Sequence, residues 1–309
     1  GADDVIALTQ GSTQSPADIA ISRGGAAATQ VTRLNDDLLG LKTLASVERI
    51  TWPSSHDEKE IEGWLMTPPN FDPERDYPMI LEIHGGPHAA YGPNFSAEAQ
   101  LFAAAGYVVL YSNPRGSTSY GDSFANEIHL AYPGYDYDDL MSGVDAVIDR
   151  GFVDPDRLFV TGGSGGGVLT AWIVGKTDRF RAAVVAKPVI NWISFALTAD
   201  NALYFSRFWF DGPAWEKTED YWNRSPLSLV GNVTTPTMLL TGEADYRTPI
   251  SETEQYYQAL KQQQVETMMI RIPGSPHGIA GRPSRLVAKV ANILAWFERY
   301  RQPSEQGEK

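Results

Sequence analysis

A serine set among glycines, an acidic pair and a late histidine are the residues of this chain whose types and order could break an acyl bond. Ser164 lies in TGGSGGGVLT, where Gly162-Gly163-Ser164-Gly165-Gly166 satisfies G-x-S-x-G. The spacing matters because small residues on either side let a strand turn sharply into a helix around the serine and hold its backbone under strain. A serine hydroxyl is a weak nucleophile that needs a base, and the base needs an acid to fix its tautomer. GEADYRTP, further on, offers Glu243 and Asp245, either of which could face an imidazole, and PGSPHG offers His277. Of the five histidines, His56, His84, His88, His129 and His277, only His277 follows the acid. It would take the serine proton and return it to the leaving group. A tetrahedral intermediate also needs N–H donors aimed at its oxygen. The Gly165 amide is one candidate, and Gly85 or Gly86 of the HGGP stretch is the other.

Each signal has a plainer explanation. G-x-S-x-G arises often by chance, His277 could cap or pack, and HGGP could be an ordinary turn. A phosphate-cradling loop would end in Gly-Lys-Ser/Thr, and a dinucleotide fingerprint would keep G-x-G-x-x-G with a distal acid; the stretch does neither. His84 and His88 are four apart, but Gly-Gly-Pro between them rules out the helix that would align them as ligands. No metal and no cofactor is expected.

The order of elements favours chemistry. YPMILEIHGG reads as a strand, SAEAQLFAAAG as a helix and YVVLYSNP as a strand. A helix spans residues 136–150, with Leu140, Val144, Val147 and Ile148 on one face. RLFVTGG is a strand leading into a helix from about Ser164, and AAVVAKP is the next strand. PTMLLTG and TMMIRIPG are strands separated by the helix SETEQYYQALKQ, and a last helix begins at Pro283. Such alternation predicts an α/β fold, a mostly parallel sheet with helices on both faces. The serine, the acids and the histidine would each follow a strand, in the order an α/β-hydrolase presents them. ASVERITW and EIEGWLMTPP add antiparallel strands.

The first 45 residues differ. VIALTQ, DIAISR and TQVTRL are short strand-type runs with too little apolar material to close a core. They are expected to pair with something absent from this chain. Residues 46–301 form the expected main domain, without internal repeats, and 302–309 an expected disordered tail. The chain starts at Gly1, which points to processing or excision of a fragment.

Bulk properties exclude more than they assign. The chain has 309 residues, 42% hydrophobic and 20% charged, with a formal net charge of −13. That balance argues against nucleic acid as a partner. No apolar run approaches a membrane span of about 18–20 residues, and no membrane partner is expected. With no cysteine there is no thiol nucleophile or disulfide, which leaves cytoplasmic, periplasmic and secreted locations open. A homo-oligomer is also left open.

HGGPHAAYG, NPRGSTSYG, TGGSGGG, GEADYRTP and PGSPHG, in this order, resemble the prolyl oligopeptidase family of serine peptidases, in its acylaminoacyl-peptidase and dipeptidyl-peptidase-like branch. The resemblance covers about residues 46–300. It implies an α/β-hydrolase catalytic domain whose N-terminal partner is a substrate-screening β-propeller, with residues 1–45 as the last propeller strands and the connection. It carries the nucleophile onto Ser164, the acid onto Asp245, the base onto His277 and the oxyanion donors onto Gly86 and Gly165. Relatives often have tyrosine where this chain has Gly165 and an aromatic where it has Val168, so a more open wall beside the nucleophile is expected. Where relatives use a tyrosine hydroxyl in the oxyanion hole, this chain has His84.

Between AAVVAKP and PTMLLTG lies an insertion dense in aromatic residues. Most of these rings would simply pack. Trp192, Phe195, Phe208 and Trp209 are the candidates for a pocket that receives the substrate side chain. The expected activity is hydrolysis of short peptides or of acyl-aminoacyl and aminoacyl amides, with an apolar residue before the cleaved bond. An esterase or amidase with the same triad, and a silent hydrolase-fold binding module, are the alternatives.

Overall fold

The structure is a computed structural model that describes residues 4–302. The tail expected at 302–309 therefore lies, but for its first residue, outside the described residues. The N-terminal strands β1 (Val5–Ser12), β2 (Ser15–Arg23) and β3 (Thr29–Gln30) form a separate three-stranded antiparallel sheet. TQVTRL contributes only the two residues of β3, because Val31 and Thr32 leave the ladder and donate to the Ile19 carbonyl instead. A short helix α1 (Asp36–Leu39) follows.

The remaining strands build one eight-stranded sheet. They are β4 (Ser46–Pro53), β5 (Glu60–Thr67), β6 (Tyr77–Ile83), β7 (Val108–Asn113), β8 (Val153–Gly163), β9 (Ala182–Ala186), β10 (Thr237–Gly242) and β11 (Thr267–Ile272). Their spatial order is β11-β10-β9-β8-β6-β7-β5-β4. From β11 to β7 every pairing is parallel; β5 runs antiparallel to both β7 and β4. Parallel neighbours need crossovers, and the helices supply them.

Helices α2 (Ala97–Ala104), α3 (Asp122–Ala125), α4 (Asp136–Ile148), α5 (Gly165–Lys176), α6 (Trp192–Thr198), α7 (Ala202–Phe208), α8 (Thr218–Asn223), α9 (Ile250–Gln262) and α10 (Pro283–Glu298) complete the chain. Strand alternation divides the apolar residues between two cores. Met79, Leu81, Leu158, Val160, Ala183 and Val185 face α4, α5 and α9. Ile80, Phe159, Ala182 and Val184 face α2 and α10, where Phe102, Ile293 and Phe297 meet them. Both faces are covered, so the central strands read as continuous apolar runs rather than alternating ones. All parallel strands end at the same edge, and that edge carries the candidate chemistry.

Candidate active site

The turn at Ser164 joins β8 to α5. Ser164 has φ 60° and ψ −120°, a left-handed backbone that a residue with a side chain adopts only when its surroundings enforce it. The glycines make that enforcement possible. A Cβ on Gly166 would lie 2.0 Å from the Ile83 carbonyl oxygen, and one on Gly162 would lie 2.5 Å from that of Gly166. The Ser164 amide donates to the Ala186 carbonyl (3.0 Å), and its own carbonyl accepts the Val168 amide (2.9 Å), which starts α5.

Asp245 follows β10 and is buried; His277 follows β11. His277 Nδ1 donates to Asp245 Oδ2 over 2.7 Å, which leaves Nε2 as the ring nitrogen available to a serine. The amides of Arg247 (3.0 Å) and Thr248 (2.9 Å) donate to Asp245 Oδ1, and the Thr248 hydroxyl lies 3.1 Å from Oδ2. Burial alone would raise the Asp245 carboxyl. The hydrogen bond and charge of His277, then the Thr248 donors, outweigh it, and the carboxyl sits below its ordinary value. Glu243 is turned away, paired with Arg271 at the surface (3.5 Å).

Ser164, His277, Gly86 and Gly165 line one cavity of about 140 Å³ at the strand edge. Gly86 has φ +121°, in the region that favours glycine. The turn lies hard against the serine: a Cβ on Gly85 would be 3.1 Å from that of Ser164, and one on Gly165 would be 3.1 Å from the Gly86 nitrogen. Gly86 and Gly165 are thus neighbours beside Ser164. NPRGSTSYG braces this turn. The buried Arg115 is held by Asp139 (2.8 and 2.9 Å), its loop presents Ser117 Oγ to His84 Nε2 (2.9 Å), and the Gly116 carbonyl meets His88 Nδ1 (3.1 Å). His84 and His88 are thereby committed to different partners.

Three of the four expected pocket residues reach the cavity: Trp192, Phe195 and Trp209. Phe208 does not. It is 48% exposed, packs on Tyr204 and lines a second cavity next door. Trp209, just past the end of α7, borders both cavities, whereas Phe208 borders only the second, because successive residues there diverge by about 100°. The wall beside the nucleophile is not open, contrary to expectation. Tyr132 fills it, its hydroxyl donating to the Gly165 carbonyl (2.7 Å) and standing 3.1 Å from where a Gly165 Cβ would be.

Sequence reasoning also missed Arg247, which lines the cavity and pairs with Asp200 (2.6 Å), and two positioning residues. Buried Glu252, on α9, accepts the Ile190 and Asn191 amides (3.0 and 2.9 Å) and the Ser194 hydroxyl (2.5 Å). It thereby fixes the start of α6, which carries Trp192 and Phe195. Lys187 Nζ donates to the His277 carbonyl (2.8 Å), while the Lys187 carbonyl accepts the Thr248 hydroxyl (3.0 Å). Arg247 stands two residues after the acid and could have been picked out; Tyr132, Lys187 and Glu252 carry no local signal.

A covered parallel sheet with a strained serine after one strand and a carboxylate–imidazole pair after two later ones defines an α/β-hydrolase. The profile of the prolyl oligopeptidase family matches residues 93–304, and the chain belongs to that family of serine peptidases. It is 43% identical over 88% of its length to the uncharacterized peptidase YuxL of Bacillus subtilis, of which it covers 42%. The acylaminoacyl peptidase of Pyrococcus horikoshii superposes with a TM-score of 0.90 at 28% identity, over 99% of this chain and 50% of that one. An acylaminoacyl peptidase in complex with Z-Gly-Gly-Phe-chloromethyl ketone superposes at 0.91, with 27% identity and the same coverage. The chain thus spans about half the length of these relatives. Among the described residues no helix is long and apolar enough to cross a membrane.

Proposed function

We propose that the chain is the catalytic part of a serine peptidase that hydrolyses short peptides or acyl-aminoacyl and aminoacyl amides through Ser164, His277 and Asp245. The observation that carries this reading is the shared cavity, lined both by the strained serine and by an imidazole already held by a buried carboxylate. Ser164 Oγ attacks the carbonyl carbon while His277 Nε2 takes its proton, and the carbonyl π pair moves onto oxygen. The Gly86 and Gly165 amides receive that oxyanion. The intermediate collapses, the C–N bond breaks and the amine leaves with the proton from His277. Water then repeats the sequence on the acyl-enzyme, releasing the acid and restoring Ser164.

Trp192, Phe195 and Trp209 form the pocket for an apolar side chain before the cleaved bond. The cavity these rings share with Ser164 and His277 holds about 140 Å³ in all. The relative crystallised with a chloromethyl ketone ending in Phe is consistent with such a preference here. Residues 1–45 are read as the closing strands of an N-terminal propeller and its connection, with the catalytic domain over 46–301. In support, the small sheet leaves apolar side chains uncovered, with Ile6 60% and Ile19 45% exposed. A peptide substrate and that propeller are the proposed partners.

The test is Ser164→Ala in the full-length protein. Turnover of an aminoacyl-anilide and labelling by a fluorophosphonate probe should both vanish while the circular dichroism is kept. Residual turnover would refute the assignment. Wild type that cleaves the matching p-nitrophenyl ester but not the anilide would make the protein an esterase.

A further inference from the structure

Behind the cavity at Ser164 lies a second one of about 220 Å³, bordered by His88, Asn126, His129 and Phe208. Tyr132 and Trp209 line both cavities and therefore form the wall between them. The wall is a built unit. Tyr132 is 1% exposed, and its ring stands edge-on to Trp209 at 5.2 Å. The buried Arg224 ties the pair together: Nη1 donates to the Tyr132 carbonyl (3.3 Å) and Nη2 to the Trp209 carbonyl (2.7 Å). That guanidinium is itself fixed, stacked over Phe210 at 3.8 Å and paired with Asp220 at 2.9 Å. At its front edge the wall is anchored to the reacting centre, since the Tyr132 hydroxyl donates to the carbonyl of Gly165, the residue after Ser164.

We propose that Tyr132 is the specificity-determining residue of this site. Clamped with Trp209 by Arg224, it closes the back of the acyl side-chain pocket, and the second cavity is a latent extension of that pocket. The inference rests on the reading of Ser164 as nucleophile. It follows from which residues touch which space. Shortening Tyr132 joins the cavity of about 140 Å³ at Ser164 to the one of about 220 Å³ behind it, so bicyclic aromatic side chains gain room that small ones cannot use. Removing only the hydroxyl leaves the wall standing and loosens the Gly165 peptide that must present its N–H to the oxyanion.

The experiment uses the full-length protein and a set of N-blocked aminoacyl-anilides with alanine, leucine, phenylalanine and naphthylalanine at the acyl position. In Tyr132→Ala the ratio of kcat/KM for naphthylalanine to that for leucine should rise at least about tenfold. Tyr132→Leu, which keeps apolar bulk in the loop, should shift the same ratio in the same direction by less, and it decides the matter if Tyr132→Ala does not fold. Tyr132→Phe should keep the wild-type ranking and lower kcat on every substrate, roughly fivefold for one lost hydrogen bond. An unchanged ranking in folded Tyr132→Leu, or a shift in Tyr132→Phe as large as in Tyr132→Ala, would overturn the proposal. Ser164→Ala, run in parallel, separates the two failures: residual turnover there overturns the nucleophile, whereas its loss with an unmoved ranking overturns only the wall.

Discussion

Lys187→Met separates positioning from stability at the proposed catalytic centre. The Lys187 side chain makes one hydrogen bond, from Nζ to the His277 carbonyl at 2.8 Å, while its backbone holds Thr248 and so the far side of Asp245. Methionine keeps the stem and the backbone contacts and removes only the ammonium. A hydrogen bond from a charged donor is worth about 1.5–3 kcal/mol, and a partly exposed one takes the low end. If that energy holds the imidazole in register, its loss costs about tenfold in kcat/KM. Stability should move the other way. Burial first, then the Lys289 charge, holds the Lys187 ammonium below its ordinary value of 10.5, against the opposing pull of Asp245 and Glu98. A depressed lysine means that folding penalises the charged form present at neutral pH, so removing it should leave Tm unchanged or raised. The same shift predicts an alkaline loss of wild-type activity, beginning below the ordinary lysine range, that Lys187→Met lacks. The assays are anilide kinetics from pH 6 to pH 10 and thermal unfolding. An activity within twofold of wild type, or a fall in Tm matching the fall in activity, refutes the reasoning.

Two further outcomes are expected. Gly166→Ala would drive a Cβ to 2.0 Å from the Ile83 carbonyl oxygen, which requires backbone movement, so a loss beyond about 4 kcal/mol and no probe labelling should follow. Gly278→Ala, with nothing within 4 Å of the added carbon, should keep its Tm, and equal behaviour of the two in thermal unfolding would discredit the turn geometry. Asp136 is buried, with Oδ2 unpartnered, and burial first, with the Asp139 charge, raises its carboxyl from 3.8 to about 7. An acid raised on folding contributes stability that is present at low pH and lost as pH rises from about 4 through about 7. Asp136→Asn should therefore gain on wild type across that window, by on the order of 4 kcal/mol at most, and then plateau. Denaturant unfolding at several pH values measures this, and a constant difference would contradict it.

The chain's own order of residues carried much of this. G-x-S-x-G between a strand and a helix, followed by an acid and a histidine each just beyond a later strand, is local information: turns demand small residues, and covered parallel strands demand apolar runs. Strands β1, β2 and β4 to β11 and helices α2, α4, α5, α9 and α10 were legible for that reason, whereas α3 and the helices α6 to α8 of the aromatic insertion were not. Tertiary structure decided whatever depends on which distant side chains meet. It brought Asp245 rather than Glu243 to His277, because only one of two carboxylates on the loop points inward. It kept Phe208 out of the cavity that takes Trp192, Phe195 and Trp209. It put Tyr132, from a loop 33 residues upstream, into the space beside Gly165 that the sequence suggested was open. A glycine in a sequence reports only a missing side chain, and the neighbour that occupies the vacated volume is chosen by packing across the whole fold.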